Sequence, residues 1–261
     1  METPLLLTWE AVLALPAIED VRALECIGNP VGGNLIGCGR WRGVALAPLL
    51  ARAGIRPAAA HVRFDAADGY STAVPLERVA GQDVLLAYAL NGELLPCELG
   101  APLRVLIPGL YGQKCPKWLT GVALLDCPFL GYWERPPRNW SDEAAVKTHA
   151  LFTAPKSHDE VRVGEPVIFR GVAFAGERRI TAVEISIDGA AWVPADLRPG
   201  PSPLAWTGWQ ATWTPQLPGS YEVCVRAGDE SGFVQTRRAG PFSDAYPAGT
   251  DAIHAIILHV I

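Results

Sequence analysis

Apolar positions along this chain fall into short runs whose period changes from one run to the next. Near the start, TWEAVLAL has the composition of a short helix, and VRALECI that of a strand ending in a glycine-rich loop. Within GVALAPLLARAG, Leu46, Leu49 and Leu50 recur at helical spacing, and Gly54 stands where a C-cap is expected. The local unit predicted here is strand, loop, helix. HVRFDAADGYSTAVPLERV reads as two short strands around the turn AADG, and DVLLAYALNGELLP as a hairpin turning at Asn91-Gly92. LRVLIPGLYGQKCPKWLTGVALLD adds an almost wholly apolar strand, a Pro-Gly break and a strand from Leu119 to Asp126.

From Pro128 to about Glu165 the period is lost among prolines, aromatics and charges, which marks a long connection. A boundary near Pro155 is expected, giving domains 1–154 and 155–261. Beyond it, VIFRGVAF, AVEISIDG, WQATWTP, SYEVCVRAGD and IHAIILHVI alternate apolar and polar residues between Gly, Pro and Asp turns. Several such strands at short spacing predict an antiparallel, immunoglobulin-like sandwich. The fold class expected overall is α+β: a mixed α/β domain followed by an all-β sandwich. Trp192, Trp206, Trp209 and Trp213 fit core and interface positions, because indoles bury large area and keep one polar handle.

Composition narrows the chemistry. A hydrophobic share of 49% with 19% charged residues describes a folded protein, and 23 Pro with 26 Gly favour strands and turns over helices. The net charge of -5 excludes a general binder of nucleic acid or of acidic membrane surfaces, since phosphate affinity rests on massed Lys and Arg. Any anion site is therefore local. Six cysteines without a CxxC pair read as reduced thiols, not as a disulfide framework or structural zinc. METPLLLTWEAVLALPAIED lacks the basic start of a signal peptide, and AIHAIILHVI is too short to span a bilayer. On this sequence a cytoplasmic location is expected.

The densest chemistry lies in ECIGNPVGGNLIGCGRWRG, residues 25–43, where one cysteine heads a run of glycines. Glycine serves where the backbone takes positive φ or approaches something closely. GNPVGG is neither GxGxxG nor a Walker sequence, and no Gly-Lys-Ser/Thr follows, so a nucleotide cradle is set aside. For Cys26 two readings compete: a small buried apolar residue at a strand end, or a soft thiolate ligand for a redox metal.

LECIGNPVGGNLIG, WRGVALAPLL, DGYSTAVPLE, DVLLAYALNGELLP, APLRVLIPGLYG, KWL and GYWER, in that order over residues 8–142, resemble the sulfite oxidase family of molybdopterin-dependent oxidoreductases. The later half resembles that family's dimerisation domain. The resemblance implies a mononuclear molybdenum–molybdopterin cofactor with Cys26 as the metal ligand. It implies that Arg104 and Lys117 hold the pterin, that Asp68 contacts it with Asp65 as competitor, and that Gln113 and Lys114 add donors from the same loop. Arg178, in GVAFAGERRITAVEIS, matches a substrate-side arginine, and Arg135 and Arg138 are further candidates from the connection. Implied partners are a small anionic or sulfoxide substrate, a separate haem or other electron-transfer protein, and a second copy in a homodimer through residues 160–261. No haem motif occurs in the chain. The alternative is a cofactor-free interaction or assembly protein that retains the fold.

Departures from the family pattern qualify these roles. Leu99 replaces a cofactor-holding histidine, and Pro30 and Val31 follow Asn29 where sulfite oxidases have arginines. Trp140 falls near the position of their active-site tyrosine. Cys38, Cys97 and Cys115 stand at other small-residue positions and read as drift or as flanks of the site. The family's N-terminal stretch has no counterpart before Met1; a longer start would place the protein in the periplasm or at a membrane.

Overall fold

Thr8 caps the first helix by accepting the Ala11 amide at 3.2 Å, so α1 occupies Trp9–Leu13. The chain then extends as β1, Ala17–Glu25, and delivers Cys26 at its end. In this computed structural model residues 1–80, 83–238 and 245–261 are described. They divide into two compact units: Met1–Cys26 with Cys38–Ala145, and Ile27–Gly37 with Val146–Ile261.

The segment after the loop is strand β2, Ile36–Ala45, where the sequence pattern had merged it with the loop. Three glycines hide its alternation. One of them, Gly43, is required by packing, because a Cβ there would lie 2.7 Å from the Cα of Ala87 on the neighbouring strand. The expected helix follows as α2, Leu46–Ala53, ending at Gly54 with φ 71°. The hairpin of β3, His61–Ala66, and β4, Ser71–Pro75, forms as predicted and leads to the short α3, Glu77–Ala80. β5, Leu85–Leu90, and β6, Glu93–Leu94, turn at Asn91 and Gly92, whose φ values of 53° and 90° are those of a primed hairpin turn.

β7, Arg104–Leu106, and β8, Leu119–Leu125, complete the first unit. One sheet runs β1-β2-β5-β6 with β7 also on β5, and a three-stranded sheet runs β4-β3-β8. Val44, Leu46, Leu50, Val62, Phe64 and Val105 fill the core, each 3% exposed or less. β7 is the strand that carries Arg104 into this interior.

In the second unit, β9, His149–Ala154, pairs antiparallel with β11, Val167–Phe174, across β10, Glu160–Val161, in sequence. The expected boundary near Pro155 is therefore displaced to Ala145, because β9 finds its hydrogen bonds in the sandwich. β12 (Ile180–Ile187), β13 (Val193–Pro194), β14 (Asp196–Arg198), β15 (Thr207–Trp213), β16 (Gly219–Asp229) and β17 (His254–Val260) follow. The two sheets run β10-β17-β16-β12-β13 and β14-β15-β11-β9. Phe152, Phe169, Trp209, Val223 and Leu258 pack in the unit's core. Of the indoles singled out from the sequence, Trp209 is buried, Trp213 stacks near Phe169 and Tyr221, and Trp192 lies beneath the Arg226 guanidinium.

His254 at the start of β17 accepts the Phe152 amide through Nδ1 at 3.1 Å, which fixes the neutral imidazole. Burial first, and the Lys156 ammonium second, push it down to about 4. The unfolded imidazole takes up a proton below the ordinary value of 6.5, whereas the folded one resists down to about 4. Stability from this group is thus whole above pH 6.5 and declines as pH falls toward 4. Urea midpoints at pH 7.5 and 4.5 are expected to show an acid loss of about 2 kcal/mol from this residue, and His254→Gln should remove that part.

Candidate active site

Cys26 is exposed, unlike Cys115 and Cys224, which are buried; all six cysteines are free. A packing role for Cys26 is thereby removed, since its side chain faces out of the strand end while Ile27 beside it is 1% exposed. Gly112 lies close to the Glu25 carbonyl, which a Cβ at Gly112 would meet at 3.4 Å, so the turn Gly112–Lys114 abuts the end of β1. Three of the residues marked in the sequence, Cys26, Gln113 and Lys114, therefore belong to one neighbourhood of backbone.

Lys114 and Arg104 are both buried cations in the first unit, but their charges are treated differently. The Lys114 ammonium meets Glu134 at 2.9 Å and Asp142 at 2.7 Å, and also donates to the Ala73 carbonyl at 3.0 Å. All three donors are occupied, and the side chains of Lys114 and Glu134 are 0% and 1% exposed. Gln113 joins the same cluster, donating to Glu134 at 3.3 Å and to the Ser141 carbonyl at 2.7 Å. These two side chains thus hold the turn and do not reach outward.

Arg104 makes no ion pair among the described residues. Its guanidinium donates to the Leu99 carbonyl at 2.9 Å and the Cys115 carbonyl at 3.4 Å, and lies 5.4 Å from the centre of the Trp41 ring. Nε is buried without a partner. Burial drives the Arg104 value down, since nothing nearby carries a full compensating charge. Lys117 lies alongside: a Cβ on Gly100 would stand 2.9 Å from that of Lys117 and 3.1 Å from that of Arg104. The Lys117 ammonium donates to the Glu98 carbonyl at 2.6 Å and lies over the Trp118 ring. Arg104 and Lys117 are thus two neighbouring cations with no carboxylate partner among the described residues.

Asp68 sits exposed in the turn after β3 and accepts the Tyr70 amide at 2.9 Å, which accounts for it as a turn former. Asp65, its competitor, pairs with Arg63 at 3.0 Å. Tyr70, which the sequence reading passed over, donates its hydroxyl to the Gln113 carbonyl at 2.5 Å. Burial first and the Glu134 charge second push this phenol above its ordinary range, so it stays a neutral donor. Its position in DGYS was a visible signal; its target 43 residues away was not.

Leu99 leaves its side chain 36% exposed and contributes its carbonyl to Arg104. Cys115 is fully buried, accepts the Ile107 amide through sulfur, and is pushed up by that burial. Arg138 stacks 3.6 Å from the Tyr132 ring centre, and Trp140 stacks on Trp133 at 4.0 Å. Arg178 lies in the second unit, where Nε donates to Asp229 at 2.9 Å and another nitrogen to Thr148 and the Val146 carbonyl. Burial raises Asp229, but hydrogen bonds from Ser231, Thr148 and Arg178 outweigh it and bring the group to about 2.

The Lys114–Glu134 pair gives a stability test. Glu134→Ala leaves the buried Lys114 ammonium with only the more exposed Asp142 carboxylate and is expected to cost about 2 kcal/mol, while Lys114→Met with Glu134→Leu should cost much less than the two single changes added, in urea unfolding.

Residues 1–133 match the family model described as "Oxidoreductase molybdopterin binding domain", and residues 141–240 match "Mo-co oxidoreductase dimerisation domain". Mitochondrial sulfite oxidase of Rattus norvegicus is 30% identical over 94% of this chain and 53% of its own length. The oxidoreductase YuiH of Bacillus subtilis is 36% identical over 52% of this chain and 66% of its length. The crystal structure of the sulfane dehydrogenase SoxCD from Paracoccus pantotrophus superposes with a TM-score of 0.84 at 25% identity, covering 98% of this chain and 72% of that one. The chain spans about half the length of the sulfite oxidases it matches. The two family models and the identity to sulfite oxidases place the chain in the sulfite oxidase family of molybdopterin-dependent oxidoreductases.

Proposed function

We propose that this protein is a mononuclear molybdenum oxidoreductase that transfers an oxygen atom or two electrons to or from a small oxyanion- or sulfoxide-type substrate. The observation that carries the proposal is the buried Arg104 guanidinium: a cation taken out of water, given carbonyls and a ring but no carboxylate, is completed by an anion. Cys26 supplies a soft, exposed sulfur at the end of a strand in the sheet that also contains β7. Bound there, the molybdopterin group supplies the two-electron chemistry.

The protein's own residues hold and orient. Arg104 and Lys117 provide charge-assisted donors for the phosphate and polar edges of the cofactor, with Asp68 as acceptor for its amino-pterin end. Gln113 and Lys114, through Glu134, keep the turn 112–114 against β1 so that Cys26 is presented in one place. Arg178 is fixed by Asp229 and Thr148 before any substrate arrives, which lowers the ordering cost of binding an oxyanion. Sulfur appears in the names of both the sulfite oxidases and the sulfane dehydrogenase, which supports a small sulfur compound as substrate. Electrons pass to or from a separate haem or other redox protein, and the second unit, matched by the dimerisation model, forms a homodimer.

A cofactor-free assembly protein is the second reading, favoured by Leu99, whose exposed side chain cannot donate where relatives use a histidine. Metal and pterin analysis separates the two. Protein made in a host competent for molybdenum-cofactor synthesis is expected to contain close to one molybdenum and one pterin per chain, and protein with neither overturns the enzyme reading. Cys26→Ser should abolish turnover, and Arg104→Gln should lower cofactor affinity by roughly 10- to 100-fold.

A further inference from the structure

The glycine-rich loop after Cys26 is packed in a way that its composition alone does not explain. Ile27–Gly37 is part of the second unit, although the cysteine just before it ends a strand of the first. Ile27, Gly28 and Asn29 are buried. Inside the loop, the Asn29 carboxamide accepts the Leu35 amide at 2.9 Å and the Pro30 carbonyl accepts the Gly33 amide at 2.8 Å, so the loop closes on itself.

Two of its glycines each face one ring from the C-terminal segment. A Cβ on Gly28 would overlap the Tyr246 phenol, 2.6 Å from its Cζ, and a Cβ on Gly32 would overlap the His254 imidazole, 2.6 Å from Cδ2 and Cε1. Real Cβ contacts are not that short, so each ring rests where a side chain would otherwise be. Gly32 also has φ 68°, which L residues seldom adopt. The imidazole is itself anchored from behind, by the Phe152 amide at Nδ1 and by the Phe152 ring, 5.4 Å away edge to face. An anchored ring against a backbone with no side chain is a rigid stop.

We propose that Tyr246 and His254 clamp the loop at Gly28 and Gly32 and are positioning residues for Cys26. The clamp lies two and six residues after the cysteine, so it restricts the chain that continues directly from the thiol-bearing residue. The glycines are then required for ring approach as much as for backbone freedom. This rests on the reading of Cys26 as the metal ligand, and the test separates the two ideas.

The measurement is amide hydrogen exchange of residues 27–36 by peptide mass spectrometry, on cofactor-free full-length protein, for Gly28→Ala, Tyr246→Ala, the two combined, Tyr246→Phe and His254→Ala. Gly28→Ala in the native background is expected to speed exchange in the loop about tenfold, whereas in the Tyr246→Ala background it adds little, because contacting sites are not additive. Tyr246→Phe, which keeps the ring, should stay near native, and His254→Ala should loosen the loop while β15 and β16 remain protected. Equal effects of Gly28→Ala in both backgrounds, or no change in any variant, overturn the clamp. Molybdenum retained by loaded protein should fall in the order in which loop exchange rises. If Cys26→Ser keeps its molybdenum, the ligand reading fails even where the exchange coupling stands.

Discussion

Lys114 and Glu134 face each other at 2.9 Å with almost no access to water, and the organisation of the first unit around Cys26 depends on that pair. Each charge alone would be prohibitively costly in the interior, so neither can move without the other. Because Lys114 belongs to the turn 112–114 and Glu134 to the segment after β8, their union closes the connection onto the sheet. The same carboxylate collects Gln113 and Thr72, and Tyr70 binds the Gln113 carbonyl. A single buried carboxylate thus gathers three side chains, Lys114, Gln113 and Thr72, from two other stretches of chain.

Against that compensated pair, the lack of compensation at Arg104 acquires meaning. Three cations, Arg22, Arg104 and Lys114, are buried in the first unit; Arg22 pairs with Asp20 and Lys114 with Glu134 and Asp142, whereas Arg104 has no carboxylate among the described residues. Arg104 has carbonyls, a ring and an unused Nε, and Lys117 beside it has a carbonyl and a ring. A protein whose net charge is -5 has carboxylates to spare, so their exclusion here leaves a local positive site.

The second unit contributes stiffness. Arg178 is braced by Asp229 and Thr148, and His254 by the Phe152 amide, so both side chains have little freedom left to lose. The loop Ile27–Gly37 belongs to this unit as well, with Gly28 against Tyr246 and Gly32 against His254.

Local period and turn chemistry were enough for the alternating strands of the sandwich, the hairpin at Asn91-Gly92 and the helix ending at Gly54. Family motifs in the sequence also pointed to Arg104, Lys117, Gln113 and Lys114 as a group. Only the tertiary structure decided that Lys114 is spent on carboxylates while Arg104 is not, because ion pairing depends on Glu134 and Asp142, which local pattern does not link to it. It also decided that β2 is a strand, where glycine masks alternation, and that β9 belongs to the sandwich, where long-range hydrogen bonds override composition. The glycines after Cys26 were legible as a loop, but the rings that require them were not, since a missing side chain records a neighbour without naming it.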